Sequence, residues 1–230
     1  DGLETWLIQN GYQIPVGASE LLQPYVPMGT RIDPFQGRAF VSLVAFLFRD
    51  TRVLGVPIPF HRTFEEVNLR FYVVPDMDPT RRAVTFIKEI GPRAVIPLVA
   101  NTFFGENYVA CPMAHSNQRL DHSYSWDDGG MHRVSAQLEG PLTLPSEGSV
   151  EEFITEHYWG YSQGPRHTLE YQVEHPQWKC CNVEEYEIAV DFEATYGEPF
   201  AALNDATPHS VQYAAGSEVT VSFPKRLPMS

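Results

Sequence analysis

The stretch "FEEVNLRFYV" at residues 64–73 alternates between apolar and polar side chains with a period of two. A β-strand directs successive side chains to opposite faces of its sheet, so this pattern predicts a strand with one apolar face and one polar face. The apolar face would carry Val67, Leu69, Phe71 and Val73, and the polar face would carry Glu66, Asn68, Arg70 and Tyr72. The location of that polar row, in solvent or inside the protein, decides whether this strand presents a binding site.

The neighbouring stretch "RAFVSLVAFLF" at residues 38–48 is apolar on both of its faces, which indicates a sheet covered on both sides. If the 64–73 strand pairs near it, the polar row is also covered, and the charges of Glu66 and Arg70 must be paired or neutralised. A barrel interior or a deep cleft would allow this, with Asn68 bridging the two. The alternative is an edge strand whose polar face meets water, which is the commoner arrangement for an alternating strand.

The rest of the chain is also rich in short alternating segments separated by proline and glycine, so we predict a β-rich fold. The predicted strands are residues 5–14, 38–48, 64–74, 83–89, 120–126, 132–138, 168–174, 185–194 and 218–223. Helices are fewer: "SVEEFITEHYWGY" at 149–161 begins with a capping box formed by Ser149 and Glu152. A second helix is predicted at 91–105 and a short helical turn at 19–23. We expect a single domain over residues 1–230.

Composition excludes several classes of function. A net charge of -13 repels phosphate backbones and anionic lipids, so neither nucleic acid nor a membrane is an expected partner. The longest nearly apolar run, Ala39–Phe48, is about half the length that a helix needs to span a bilayer. Three cysteines, two of them adjacent, make a poor disulfide framework and favour a reducing compartment, so we expect a cytoplasmic protein. The sequence is compatible with a monomer and with an oligomer.

Several segments together resemble a known family. They are "LLQPYVPMGTRIDPFQGRAFVSLVAF" at residues 21–46, the opening stretch, "EEFITEHYWGY" at 151–161, "EHPQWKC" at 174–180 and "PKRLP" near the end. This set resembles the YqjF-like uncharacterised conserved family, a domain of unknown function in the acetoacetate decarboxylase-like superfamily. The resemblance implies an α+β, β-rich domain with an antiparallel barrel-like sheet, a few helices and a central cavity that contains the polar row. It supplies no activity.

The decarboxylases of that superfamily use a lysine whose amine pKa is lowered by an adjacent lysine, so that it can form a Schiff base. This sequence has no Lys-Lys pair, and residues 93–105 contain no lysine. Lys88 is the only lysine nearby, and we interpret it as part of a structural or surface ion pair. The Schiff-base chemistry of the superfamily is therefore not expected here.

Other reaction classes also lack their signatures. The histidines between Cys111 and Arg133 do not have the spacing of a zinc site, so we predict no metal and no cofactor. No GxSxG motif is present, and the adjacent Cys180 and Cys181 fit buried packing better than a Cys-His nucleophile.

The leading hypothesis is a protein that binds a small, acidic metabolite in a polar barrel cavity, with Arg70 recognising its carboxylate. The predicted ligand-binding residues are Glu66, Asn68, Arg70, Tyr72, Tyr108, His157, Tyr161, His175 and Trp178. One alternative is a lyase or isomerase acting on a keto acid, with Glu66 or His157 as general base and Tyr72 or Arg70 stabilising an enolate. A non-catalytic structural module is the other alternative.

Overall fold

The computed structural model describes residues 6–14, 19–50, 52–53, 56–57, 63–92, 107–118, 120–164 and 166–227. Strands dominate these ranges, in agreement with the β-rich prediction. They are β1 Trp6–Ile14, β2 Thr30–Ile32, β3 Ala39–Phe48, β4 Arg52–Val53, β5 Val56–Pro57, β6 Phe64–Pro75, β7 Ala83–Gly91, β8 Tyr108–Ala110, β9 Met113–Gln118, β10 Asp121–Asp127, β11 Met131–Thr143, β12 Trp159–Gln163, β13 Thr168–Glu174, β14 Lys179–Ala189, β15 Ser210–Ala215, β16 Thr220–Val221 and β17 Lys225–Arg226.

Fifteen of these strands form one large sheet, and β6 lies near its middle. The main path of pairing runs β16-β13-β12-β7-β6-β3-β1-β15-β14-β11-β10-β9, while β17, β2 and β8 pair off this path. Most neighbours are antiparallel, but β7 is parallel to both β12 and β8. The predicted uniformly antiparallel, barrel-like sheet is therefore not confirmed, because the sheet is mixed and the path of the described strands does not close.

The helices are short and differ in part from the prediction. Helix α1 spans Val150–Thr155, and the chain then enters β12, so the predicted helix at 149–161 is too long. Its start is as predicted, because Ser149 Oγ accepts a hydrogen bond from the backbone N–H of Glu152. Helix α2 spans Phe192–Tyr196, and 3-10 turns occur at Ser19–Leu21, Gln23–Tyr25 and Glu198–Leu203.

Two further differences concern strands and a helix. The predicted strand at 185–194 ends early, because β14 stops at Ala189 and Asp191 caps α2 by accepting from the backbone N–H of Ala194. The strand predicted at 218–223 is only the two-residue β16. The helix predicted at 91–105 lies, from residue 93 onward, outside the described residues. None of the helices in the described ranges is long and apolar enough to cross a membrane.

The two faces of the central sheet are packed differently. One face of β6 joins the main hydrophobic cluster through Val67, Leu69, Phe71 and Val73, each with an exposed fraction of 0%. The opposite face carries two smaller apolar clusters. The first contains Phe40, Tyr72, Val84, Phe153 and Ile154, and the second contains Leu7, Val44, Cys180 and Ala214. Both faces of β6 are thus covered, and its polar row lies between the two smaller clusters.

Gly160 on β12 provides a direct test of the packing on the face that carries the polar row, because it lies opposite Val84 of the first small cluster. A Cβ at Gly160 would lie 2.2 Å from the ring of Tyr171, which is itself buried. Because a buried ring cannot move aside without displacing its neighbours, we expect Gly160→Ala to lower the free energy of unfolding by about 1–3 kcal/mol. Urea unfolding measures this loss.

The matched control is Gly130→Ala in the exposed turn between β10 and β11. A Cβ there would meet only His132, at an ordinary contact distance of 3.7 Å. This control is expected to change the stability by less than about 0.5 kcal/mol. Equal effects of the two substitutions would contradict the packing at Gly160.

Candidate functional site

The polar row of β6 lies inside the protein. Glu66, Asn68 and Tyr72 are buried with exposed fractions of 4%, 1% and 1%, and Arg70 is half-buried. The reason is the position of β6, which pairs along its length with β3 on one side and β7 on the other. The row is therefore the polar part of a covered face, and the edge-strand alternative does not apply.

Glu66 is the centre of a buried hydrogen-bond network. Its Oε2 accepts from the hydroxyl of Tyr108 over 2.9 Å, and its Oε1 accepts from Asn68 Nδ2 over 3.1 Å. Burial raises the pKa of Glu66 to about 7, although both hydrogen bonds and the charge of Arg70 favour the ionised form. Burial, together with the charge of Glu66, also raises the pKa of Tyr108, so this phenol remains a hydrogen-bond donor. The carboxyl group is thus able to gain or lose a proton near neutral pH.

Arg70 has spare hydrogen-bonding capacity. One of its terminal nitrogens donates to the backbone carbonyl of Ile154 over 3.4 Å, at the end of α1. Its Nε is buried and has no hydrogen-bond partner among the described residues. The same holds for Oδ1 of Asn68, so Asn68 bonds to Glu66 without completing the expected bridge to Arg70. A guanidinium whose Nε–H is buried and unused is suited to an anionic or carbonyl oxygen.

Tyr72 and His157 form a second group at the far end of the row. The hydroxyl of Tyr72 lies 2.7 Å from Ser42 Oγ, and its ring packs against His157 with centroids 4.6 Å apart. His157 Nε2 bonds to Asp33, which also pairs with Arg82 over 2.8 Å. Burial lowers the pKa of His157 to about 4, against the favourable contact with Asp33, so this imidazole is neutral at physiological pH.

The structure places the other predicted residues in three locations. Tyr108 is in the Glu66 network. His175 and Trp178 stack with ring centroids 4.0 Å apart beside the apolar cluster of Val44 and Cys180. Burial is the main cause that lowers the pKa of His175, and the positive charge of Arg70 lowers it further, which places the two side chains near each other. Tyr161 lies in the main core on the opposite side of the sheet, where it donates to Glu170. The structure thus brings all of the predicted residues except Tyr161 to one face.

Four further residues on this face were not identified from the sequence. Strand register places Glu89 opposite Asn68, and Ser42 opposite Arg70. It also places Gln9 opposite Gln212. Each of the four is a polar residue within a largely apolar strand, but only the pairing of strands shows that these residues share a face with Arg70.

Lysine and cysteine chemistry is not favoured on this face. The chain has three lysines. Lys88 faces the other side of the sheet, where it donates to the backbone carbonyl of Thr195 and lies over the Tyr196 ring, and Lys179 and Lys225 are exposed. Burial raises the pKa of the Cys180 thiol to about 12, so it is a poor nucleophile.

A metal site and an open cleft are the other features that could mark a functional site. Within the described ranges, no group of three or more His, Cys, Asp or Glu side chains could hold a metal ion. A cleft of about 590 Å³ runs between the β10–β11 turn and α2, and its lining residues include Asp128, His132 and Asp191. It does not include the polar row. We place the candidate site at the row because buried polar groups with unused hydrogen-bonding capacity are stronger evidence for a site than the volume of an open groove.

The raised pKa of Glu66 makes stability depend on pH. The unperturbed pKa of a glutamate is 4.5, and that of Glu66 in the folded protein is about 7. Between these two pH values the folded protein keeps a proton that the unfolded chain releases, so the free energy of unfolding falls as the pH rises through this range. Glu66→Gln removes the titration. We expect the variant to gain about 2–3 kcal/mol relative to the wild type between pH 4.5 and 7.5, measured by urea unfolding at a series of pH values.

Glu65→Gln is the matched control for this measurement. Glu65 is the adjacent residue of β6, points to the other face and pairs with His115 over 2.6 Å. Its substitution should not produce the gain in the free energy of unfolding with rising pH that is expected for Glu66→Gln. A difference between Glu66→Gln and the wild type that stays constant with pH would contradict the burial of an ionisable Glu66.

The fold is similar to that of acetoacetate decarboxylase and related enzymes. Acetoacetate decarboxylase from Legionella pneumophila matches with a TM-score of 0.68 and 10% identity, covering 98% of this chain and 85% of that chain. The enduracididine biosynthesis enzyme MppR, in a complex with pyruvate, matches with a TM-score of 0.62 and 12% identity over 97% and 88% of the two chains. An acetoacetate decarboxylase-like enzyme from Sphingomonas wittichii RW1 matches with a TM-score of 0.61 and 10% identity over 99% and 93%. At these identities the likeness concerns the fold alone.

Sequence comparison gives a more direct relationship. The uncharacterized protein YqjF of Bacillus subtilis (strain 168) is 28% identical over 184 residues, which cover 77% of this chain and 73% of that protein. A family model described as "Uncharacterized conserved protein (COG2071)" matches residues 13–218, nearly the whole chain. The chain belongs to this family of uncharacterized conserved proteins; it is similar to YqjF, and its fold is similar to that of the acetoacetate decarboxylase-like enzymes.

Proposed function

We propose that the polar face of β6 binds a small organic acid, with Arg70 as the group that recognises its carboxylate. The observation that carries the proposal is the unused Nε of Arg70 on a covered face, beside the unused Oδ1 of Asn68. A buried donor or acceptor without a partner costs about 1–3 kcal/mol, so such groups indicate a site that something else completes.

Arg70 is the group of this face that would attract an anion. The carboxyl groups of Glu66 and Glu89 share the face, and Glu66 can take up a proton near neutral pH and so reduce its repulsion of a bound carboxylate. The apolar clusters on both sides of the row would cover the hydrocarbon part of a small ligand. In this proposal the ligand lies in a central cavity beside the row, walled by Tyr72, Tyr108, His157, His175 and Trp178.

Two of the solved structures with this fold support the class of ligand by analogy. One is a decarboxylase named for acetoacetate and another contains pyruvate, and both molecules are small keto acids. The analogy is with the fold, and the proposal for this chain rests on the residues of its own polar face.

Arg70→Met tests the proposal. Isothermal titration of the wild type with pyruvate, acetoacetate and related monocarboxylates should show binding for at least one of them. Loss of a charge-assisted hydrogen bond is worth about 1.5–3 kcal/mol, so Arg70→Met should weaken that binding by about ten- to a hundred-fold.

Arg133→Met is the matched control for this titration. Arg133 is an exposed arginine on β11 that pairs with Glu187 over 3.2 Å, far from the row in strand order. The control should leave the affinity unchanged. Absence of binding by every acid in the wild type, or equal binding by wild type and Arg70→Met, would contradict the proposal.

A second candidate function is catalysis of proton transfer on a keto acid, as a lyase or isomerase without a Schiff-base lysine. It is favoured by Glu66, whose pKa of about 7 is suited to a general base at neutral pH. Glu66 would remove a proton from the carbon next to the keto group, and Arg70 or Tyr72 would stabilise the enolate oxygen. His157 is the weaker candidate for the base, because its Nε2 is bonded to Asp33 and its pKa is lowered to about 4.

Exchange of the C3 protons of pyruvate or 2-oxobutyrate with D₂O, followed by NMR, tests this candidate. General base catalysis contributes about 10²- to 10⁴-fold, so Glu66→Gln should slow the exchange by at least about a hundred-fold. The rate in the wild type should rise with pH up to about 7, as Glu66 loses its proton. Glu65→Gln should exchange at the wild-type rate. An exchange rate that is the same with and without the wild-type protein would exclude this function.

A further inference from the structure

Two glutamines on neighbouring strands form a buried pair of carboxamides on the same face as Arg70. Gln9 on β1 lies opposite Gln212 on β15, and Gln212 Nε2 donates to Gln9 Oε1 over 2.7 Å. Their exposed fractions are 0% and 2%. Gln9 also lies opposite Val44 of β3, which lies opposite Asn68 of β6. Because residues directly opposite each other share a face of the sheet, both glutamines lie on the face of the polar row, Gln9 two strands and Gln212 three strands away from it.

The pair leaves one donor and one acceptor unused. Nε2 of Gln9 and Oε1 of Gln212 are buried and have no hydrogen-bond partner among the described residues. Exchanging the nitrogen and oxygen positions in both amides reverses the bond between them but leaves the same inventory, one nitrogen and one oxygen. The pair therefore has one unused nitrogen donor and one unused oxygen acceptor, whichever way the two amides are oriented.

The neighbours of the pair within the sheet are neutral. The side chains next to the two glutamines along and across the strands carry no charge; they are Leu7, Gly11, Val44, Asn182, Ser210 and Ala214. The charges closest to this part of the face are negative, because burial raises the pKa of Cys180, opposite Ala214, and Glu151 and Glu156 help to raise it further. A carboxylate offers acceptors only, and at this position it would face the unused oxygen without a compensating charge. A carboxamide or ureido group offers a carbonyl oxygen for the unused nitrogen and an N–H for the unused oxygen, so it matches both.

We infer that the Gln9–Gln212 pair is a second subsite, which binds a neutral carboxamide or ureido group of the ligand whose acidic group is held by Arg70. The inference rests on the proposed function and narrows it. Gly11 lies opposite Ser42, which lies opposite Arg70, so Gln9 and Arg70 are two strands and two residues apart. With strands about 4.8 Å apart and a rise of about 3.4 Å per residue, their Cα atoms are separated by roughly 12 Å. The two long side chains cover part of this distance, and a ligand such as the half-amide of a short dicarboxylic acid would span the rest.

Matched ligands test the inference by isothermal titration. Succinamate, glutaramate and adipamate each carry an acid and an amide, while butyrate, pentanoate and hexanoate have the same chain lengths without the amide. At least one half-amide should bind the wild type about ten-fold more tightly than its plain acid, as two hydrogen bonds of ordinary strength allow.

The double variant Gln9→Met, Gln212→Met removes both amides at similar volume, so neither glutamine is left facing an apolar side chain in place of its partner. In this variant the preference for the half-amide should fall to within about two-fold, with the affinity for the plain acid retained. Gln118→Met on the exposed edge strand β9 is the control and should keep the full preference. Equal binding of half-amide and plain acid by the wild type, or an unchanged preference in the double variant, overturns the inference and leaves the proposed function intact.

A neutral amide separates the two proposals if no acid binds. The side-chain NH₂ signals of Gln9 and Gln212 can be assigned in ¹⁵N spectra of the wild type from their loss in the single Gln→Met variants. Addition of butyramide should shift both signals, whatever the result with acids. Unmoved signals overturn the inference. Shifted signals without any binding of acids overturn the role of Arg70 and leave the carboxamide subsite.

Discussion

A strand that is covered on both faces cannot leave charged side chains without compensation, and this constraint organises the centre of the protein. Transfer of a carboxylate or guanidinium from water into the interior is costly unless hydrogen bonds or opposite charges replace the lost hydration. For Glu66 the replacements are Tyr108 and Asn68, and for Arg70 the end of α1 provides the carbonyl of Ile154. The compensation is incomplete, as the raised pKa of Glu66 and the unused Nε of Arg70 indicate.

The two faces of β6 differ in composition, because one belongs to the main core and the other carries the proposed site. Val67, Leu69 and Phe71 are fully buried in the main core, and each contributes about 1.5–3 kcal/mol by leaving water. Such a core can tolerate a polar row on its reverse side that would be a poor choice for stability alone. The same rigid strand then fixes the spacing of Glu66 and Arg70, because its backbone is paired on both sides.

Local patterns predicted the central strands well, because the alternation that identifies a strand is contained within it. The limits of this approach are visible at Phe192, which continues the alternation of Tyr186, Ile188 and Val190 but begins α2, since Asp191 caps the helix in competition with the strand. Gln9 and Gln212 are 203 residues apart in sequence. Their contact is a consequence of strand register, which no local pattern reveals, so the sequence could predict the row of β6 but not the pair that shares its face.

The chemistry open to the polar face is set by the side chains that it carries. A Schiff base requires an amine on the face that holds the substrate, and each of the three lysines of the chain is either on the other face or exposed. The face instead offers a guanidinium, a carboxyl group that titrates near neutrality, and side-chain amides. These groups act by hydrogen bonding and proton transfer, and none of them forms a covalent adduct with a ketone as readily as a lysine does. In this chain the sheet therefore positions groups that are suited to non-covalent contacts and to proton transfer, and not an amine that could form a Schiff base.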